Sequence, residues 1–368
     1  MTLAAWIVDA AADREAWRYT SLAALRAADF APAQPVSVPM AALPPLLDGH
    51  GQRLVFVNGH YQPQLSMTRD LPADIIAGDA ELGYRLTVQA QTCLATQPLE
   101  VLCLSHKAST PRQSAIKLQL HLGAHARLTL LERHISIGSG APQVTMVQIA
   151  ATLAEQAKAL HLKCQEQATD DTHLARTTAT LAKGAFYDHC TLTLGAVLSR
   201  NELVCSLMEP EAQARLSGAT LLRGSQHGAT LAIVQHTAPH TVSEQHFRAV
   251  LDDKARGVFQ GKIAVERTAQ RMSGRQLSRA LLLSGQAEAD HKPELEVNAD
   301  DVQCSHGSTI GQLDDAALFY LRSRGIAPEA ARALLVGAFV KEVLETIGSK
   351  SGRDYAAECA AAWHGAAA

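Results

Sequence analysis

Between residues 95 and 312 the chain alternates apolar and polar residues with a period near two, and almost nothing in that stretch can close a hairpin. IKLQLHL shows the alternation most clearly: Ile116, Leu118, Leu120 and Leu122 point one way, and Lys117, Gln119 and His121 the other. LHLKC (160–164) and TLTLG (191–195) repeat it. Gly-Ala pairs at 123–124, 184–185, 195–196, 218–219 and 228–229 punctuate the strands, several neighbours lying 10 or 11 residues apart and Gly195 to Gly218 being 23. A β-sandwich also gives short, evenly spaced strands, but its hairpins call for dipeptides such as Asn-Gly, nearly absent here. Stacked coils need bends instead. The pattern therefore predicts a mainly β chain built on a parallel β-helix, with two or three strands per coil.

The flanks read differently. Residues 1–30 are rich in Ala, Leu, Arg and Glu, and Trp6, Ile7, Leu22 and Leu25 can share apolar faces, which predicts an N-terminal helical region. Residues 31–94 form a proline-rich connector with a small strand-containing region. Five of the 14 prolines fall at 32, 35, 39, 44 and 45, where fixed φ and missing amide donors keep the chain extended. RLVFVNGHYQPQLS (53–66) then reads as a strand followed by an Asn58-Gly59 turn. After the β-helix core of 95–312 the period changes to 3.6. Leu313, Leu318, Leu321, Leu334, Leu335, Phe339, Val343, Leu344 and Ile347 line apolar faces of a C-terminal helical domain, 313–368. Gly325 punctuates its first helix, Pro328 opens the second, and a last helix runs from Arg353 to Trp363. Such helices can cap the open end of a solenoid or offer a ridge to a partner.

A net charge of -3 and 4% aromatic residues give no nucleic-acid surface. Seven cysteines without a CxxC pair read as reduced thiols. With no secretory pattern at the start and no apolar run near the roughly 20 residues that span a bilayer, the expectation is a cytoplasmic protein with no membrane contact. GxxxxGK[ST], GxSxG, HExxH and GxGxxG motifs are absent, so the chain is not expected to bind ATP by a P-loop, and an enzyme reading would have to rest on isolated polar residues.

Cys304 and His306 stand two apart in CSHGST. On a strand that spacing puts both on one face, roughly 6.6–6.8 Å apart. A thiolate and a neutral imidazole are both competent iron ligands near neutral pH, while a buried cysteine as often serves as a small hydrophobe. Many of the remaining histidines, His121 and His161 for example, read as solvent-facing strand positions, with surface or coil-stacking roles rather than metal binding. Cys93, Cys103, Cys164, Cys190 and Cys205 read as packing residues. Cys359 and His364, five apart on the last helix, lack further ligands nearby in sequence.

CSHGSTIGQLDDAALFYLRSRGI (304–326) resembles the signature of the SufB/SufD family of iron–sulfur cluster assembly scaffolds. EAWRYTSL (15–22) and the LVFVNG strand resemble further elements of SufD-type chains. Where the SufB branch usually carries a Glu-His-Glu-Ala type sequence, this chain has Ser305-His306-Gly307-Ser308, which points to the SufD branch. The resemblance implies a right-handed parallel β-helix and a non-catalytic scaffold subunit. It implies pairing with a SufB-type paralogue through the β-helix, and binding of a SufC-type ATPase, which uses ATP, through the C-terminal helices. His306, with Cys304, would then hold iron or a transient, nascent Fe–S cluster at the SufB interface, with no tightly bound cofactor of the chain's own. Reduced flavin is implied for the whole complex, with no residue here that locates it. Leu318, Phe319, Leu321, Arg322, Arg324, Leu334, Leu335 and Phe339 are expected to divide between packing on the β-helix and contacting the ATPase. Two other readings compete. One is a stand-alone β-helix polysaccharide enzyme, whose nearest carboxylate pairs are Asp252-Asp253 and Asp300-Asp301. The other is a homo-oligomeric structural or metal-binding protein, a homodimer being the simplest case.

Overall fold

The computed structural model describes residues 2–47, 51–69, 71–76 and 83–365. From Cys93 to Gln312 fifteen strands fall alternately into two sheets, a first running from Arg112–Leu122 to Glu288–Val297 and a second from Cys93–His106 to Gln303–Gln312; with the strands before Cys93 each sheet has ten, and within this core every ladder is parallel. Each coil contributes two strands, and the chain makes about eight turns. Leu162 pairs with Cys190, which pairs with Ser217, which pairs with His246, so one coil takes just under thirty residues. The strand Gln52–Val57 extends one sheet beyond Cys93–His106, and Tyr84–Val88 extends the other. Asn58 and Gly59, both with positive φ, turn the first of these into the short strand His60–Tyr61, as Asn-Gly predicts.

The bends explain how the chain coils without hairpins. The residue two before each second-sheet strand from Cys93–His106 to Ser273–Leu282 has positive φ: Gln91, His125, Gln156, Gly184, Glu211, His240 and Arg271. Its amide donates to the carbonyl one coil further on, as His125 does to Glu155 at 2.9 Å and Gln156 to Lys183 at 2.9 Å. At four of these bends a fully buried alanine follows, Ala126, Ala157, Ala185 or Ala212, whereas Met272 is the buried residue after Arg271. The Gly-Ala pairs at 123–124, 184–185 and 195–196 sit at bends, but those at 218–219 and 228–229 lie inside the strands Gln213–Leu222 and His227–His236. They mark close packing there: a side chain at 218 would press on Phe247, and one at 228 on Leu222.

The N-terminal region is helical only in α1 (Leu3–Ala12), capped by Thr2, and α2 (Ala23–Ala27). Both lie on the outer face of the first sheet, where Trp6, Trp17, Leu22 and Leu25 pack on Val144, Met146 and Leu174. Arg200, with no exposed surface, stacks on Trp17 at 4.0 Å and donates to the Ala16 carbonyl at 2.9 Å. Glu15 reaches Lys292 on the last first-sheet strand.

The C-terminal helices are α3 (Asp315–Ser323), α4 (Pro328–Leu344) and α5 (Lys350–Gly365). They do not cap the end of the stack. Val336, Val340, Val343, Leu344, Ile347, Ala356 and Trp363 instead cover Leu131, Leu162, Cys164, Cys190, Leu192 and Leu221 on the outer face of the second sheet. Each buried aliphatic side chain of this seam contributes about 1.5–3 kcal/mol.

Candidate functional site at the open end of the solenoid

The strands Glu288–Val297 and Gln303–Gln312 form the last coil, and each ends its sheet. Among the described residues nothing pairs with their outer edges, and their side chains are exposed or half-buried. One column of registered residues runs His161, His189, Leu216, Gln245, Gln276, His306. Its earlier members point into the lumen of the solenoid. His306 points the same way, but no further coil covers it, so it is exposed at the mouth. Its side chain makes no hydrogen bond among the described residues.

Cys304 shares that face but is half-buried. It packs with Ile263, Val265, Met272 and Leu295, its Sγ 3.5 Å from Met272 Sδ. Burial raises its thiol pKa, which keeps it protonated at neutral pH. Across the lumen from Ser308 stands His291, which the sequence reading passed over. Its Nδ1 lies 2.8 Å from Ser308 Oγ, and its ring meets Phe259 edge-on at 6.2 Å. The strand EADHKPELEV does place it on the same face as half-buried Leu295, but a single alternation beside a lysine and a proline gave no reason to single it out. Among the described residues no three His, Cys, Asp or Glu side chains are gathered so as to hold a metal ion. The mouth therefore offers an incomplete donor set.

Deeper in the lumen the chemistry is unusual for a solenoid core. Glu132 is buried, with His134 bonded to one carboxylate oxygen and His161 Nε2 2.7 Å from the other. His161 Nδ1 meets Tyr187 Oη at 2.8 Å, and Lys163 Nζ donates to Asn201 Oδ1 at 2.9 Å. Burial opposes ionisation of Glu132, yet Lys163 and the imidazoles hold its pKa well below the ordinary value. His161 is thus a core residue, not the solvent-facing one expected from alternation; His121 is half-buried on the outer face. Cys103, Cys164, Cys190 and Cys205 are buried as expected, whereas Cys93 is exposed. All seven cysteines are unpaired. The side chain of His364 lies outside the described residues.

The residues expected to face an ATPase divide. Phe319 and Leu334 are 74% and 54% exposed, which leaves both free for a partner. Arg322 and Arg324 are exposed, and Leu318, Leu321 and Leu335 are half-buried. Phe339 packs against the second sheet, beneath the guanidinium of Arg248 at 4.5 Å. Between α4 and α5 runs an apolar groove of 940 Å³ lined by Leu334, Gly337, Val340, Ala357 and Ala361. Asp252-Asp253 and Asp300-Asp301 lie at bends on opposite edges of the solenoid and cannot face one sugar ring. No helix among the described residues is long and apolar enough to cross a membrane.

The parallel β-solenoid is the fold that the resemblance implied; the open, imidazole-bearing mouth and the seating of the helices along its flank come from the structure. The profile of the SUF system FeS cluster assembly SufBD core domain matches residues 89–339. The chain belongs to the SufB/SufD family of iron–sulfur cluster assembly proteins, and within it to the SufD type. It is 32% identical to an iron–sulfur cluster assembly SufBD family protein of Synechocystis sp., over 90% of this chain and 83% of that one. Iron–sulfur cluster assembly protein SufD of Escherichia coli is 29% identical over 90% and 84%. A SufBD family protein of Mycobacterium leprae is 26% identical over 90% and 85%.

Proposed function

We propose that the chain is a non-catalytic, cytoplasmic scaffold subunit of an iron–sulfur cluster assembly complex. It pairs with a SufB-type paralogue through the open end of the solenoid, and it binds a SufC-type ATPase through α3 and α4. The observation that carries this reading is the last coil: two ten-residue strands whose outer edges are bare, with His306 exposed between them. An uncovered sheet edge is a template for another chain, and a paralogue with the same coil can supply strands of matching length. His306 then sits at the seam, where the partner completes the donor set that this chain lacks. Iron or the nascent cluster is the cargo, not a resident cofactor. Cys304, protonated and packed on Met272, is better suited to shape the floor of the mouth than to bind.

Phe319, Leu334, Arg322 and Arg324 form the exposed side of the helical layer, which suits a second partner. ATP belongs to that partner; its closure would be felt at the mouth through a stack too rigid to bend. A homodimer through the same bare edges is the competing assembly when the paralogue is absent. The test is His306→Ala in the coexpressed complex. The variant is expected to copurify both partners in wild-type ratio but to retain little iron or acid-labile sulfide. Wild-type iron and sulfide in that variant removes His306 from the mechanism.

A further inference from the structure

We propose that His291 is a second imidazole donor at the mouth, acting together with His306 on the iron or nascent cluster; the inference rests on the reading just given. The two side chains come from opposite walls. His306 and Ser308 stand two apart on one face of Gln303–Gln312, roughly 6.6–6.8 Å apart along the strand, and His291 reaches across from Glu288–Val297 to touch Ser308. Its ring is fixed from three directions. Ser308 Oγ lies at 2.8 Å from Nδ1, Ser278 Oγ lies beneath at 3.4 Å from each ring nitrogen, and Phe259 meets it edge-on at 6.2 Å. Only the side toward the open end lacks a neighbouring coil.

A histidine that binds metal through one nitrogen characteristically donates its other N–H to a fixed acceptor, which sets the tautomer and aims the free lone pair. Ser308 Oγ is placed to be that acceptor. With Nδ1–H donated to it, Nε2 keeps its lone pair, and its one hydrogen-bond contact among the described residues is the Ser278 hydroxyl at 3.4 Å, the outer limit of hydrogen bonding. Imidazole suits iron, and a pair of imidazoles can replace a pair of thiolates on one iron of a cluster. His306, exposed and without a hydrogen bond among the described residues, is the unrestrained donor; His291 is the fixed one. A purely structural role would require only something polar to meet Ser308.

The test uses the complex copurified with the paralogue and the ATPase, and Fe(II) alone as probe under anaerobic conditions. His291→Ala, His291→Gln, Ser308→Ala and His306→Ala are compared by bound iron after gel filtration and by dissociation constant. Both His291 variants are expected to weaken iron binding about tenfold or more, with subunit ratio and melting temperature unchanged; Ser308→Ala, which frees the ring, weakens it less, nearer the low end of the 10–100-fold range for such supports. Glutamine keeps a hydrogen bond to Ser308 but lacks the imidazole, so wild-type binding in His291→Gln overturns the inference. If His306→Ala loses iron and neither His291 variant does, His291 has no part and the seam reading stands. Unchanged binding in all four variants, or no iron binding by the wild-type complex, sinks both.

Discussion

His173 has no hydrogen-bond partner on either ring nitrogen among the described residues, yet it is fully buried against the ring of His134 at 4.7 Å. Each unsatisfied buried polar atom costs about 1–3 kcal/mol. His173→Leu is therefore expected to leave thermal stability unchanged or raise it by about 1 kcal/mol; a clear fall in melting temperature would show that the ring has a partner we have not assigned. Glu132 is the opposite case. Glu132→Gln leaves Lys163 charged in the lumen without its counterion, and is expected to cost about 3–5 kcal/mol, read from urea unfolding. Burial also depresses the histidines of the core. His236, bonded to Thr241 and Ser243, has its pKa lowered from 6.5 to about 4, and His227 likewise; His173 and His189 are shifted in the same direction. The unfolded chain takes up protons first as pH falls. Stability is thus fully present above pH 6.5 and is lost between there and about 4, on the order of 3 kcal/mol for His236 alone. A urea midpoint that is flat from pH 7.5 to 4.5 would contradict this.

At the scale of the element, the same sequence rule succeeded on one strand and failed on the next. In IKLQLHL the leucines face the lumen, as alternation implies. In LHLKC and TLTLG the apolar residues Leu162, Cys164 and Leu192 face outward, because α4 and α5 cover them, and His161, Lys163 and Thr191 face in. Period two gives the strand but not which face is the core when a helix layer covers the outside. The bends were hidden for a related reason. Most of their left-handed residues are not glycine but Gln, His, Glu and Arg, held there by the amide ladder between coils. The helices themselves were legible from Pro328 and Gly325, whose φ of 84° ends α3, but where they dock was not, since an apolar stripe carries no address. That α3 presents Arg322 and Arg324 outward has a direct consequence: charge reversal at both is expected to reduce copurification of the ATPase at least several-fold without changing the melting temperature. Full recovery of the ATPase with the double variant would rule out this face of α3.

For the molecule as a whole, the division of labour follows from topology. Every coil pairs with the one before it, so the stack is stiff, and among the described residues the last coil leaves its outer edges unpaired. The proposed function falls to that mouth and to the helical flank. CSHGST pointed to His306 because the signature is local, whereas His291 needed the coil to be closed before the two rings could be seen to share an opening. In a parallel edge strand about half of the amides face away from the neighbour and stay open to water. The most direct test of the seam is hydrogen exchange on residues 288–297 and 303–312, in the isolated chain at low concentration and after addition of the SufB-type paralogue. The account predicts that alternate amides of both strands exchange quickly alone and become protected in the complex. Unchanged exchange there, with protection appearing only on other surfaces, would contradict it.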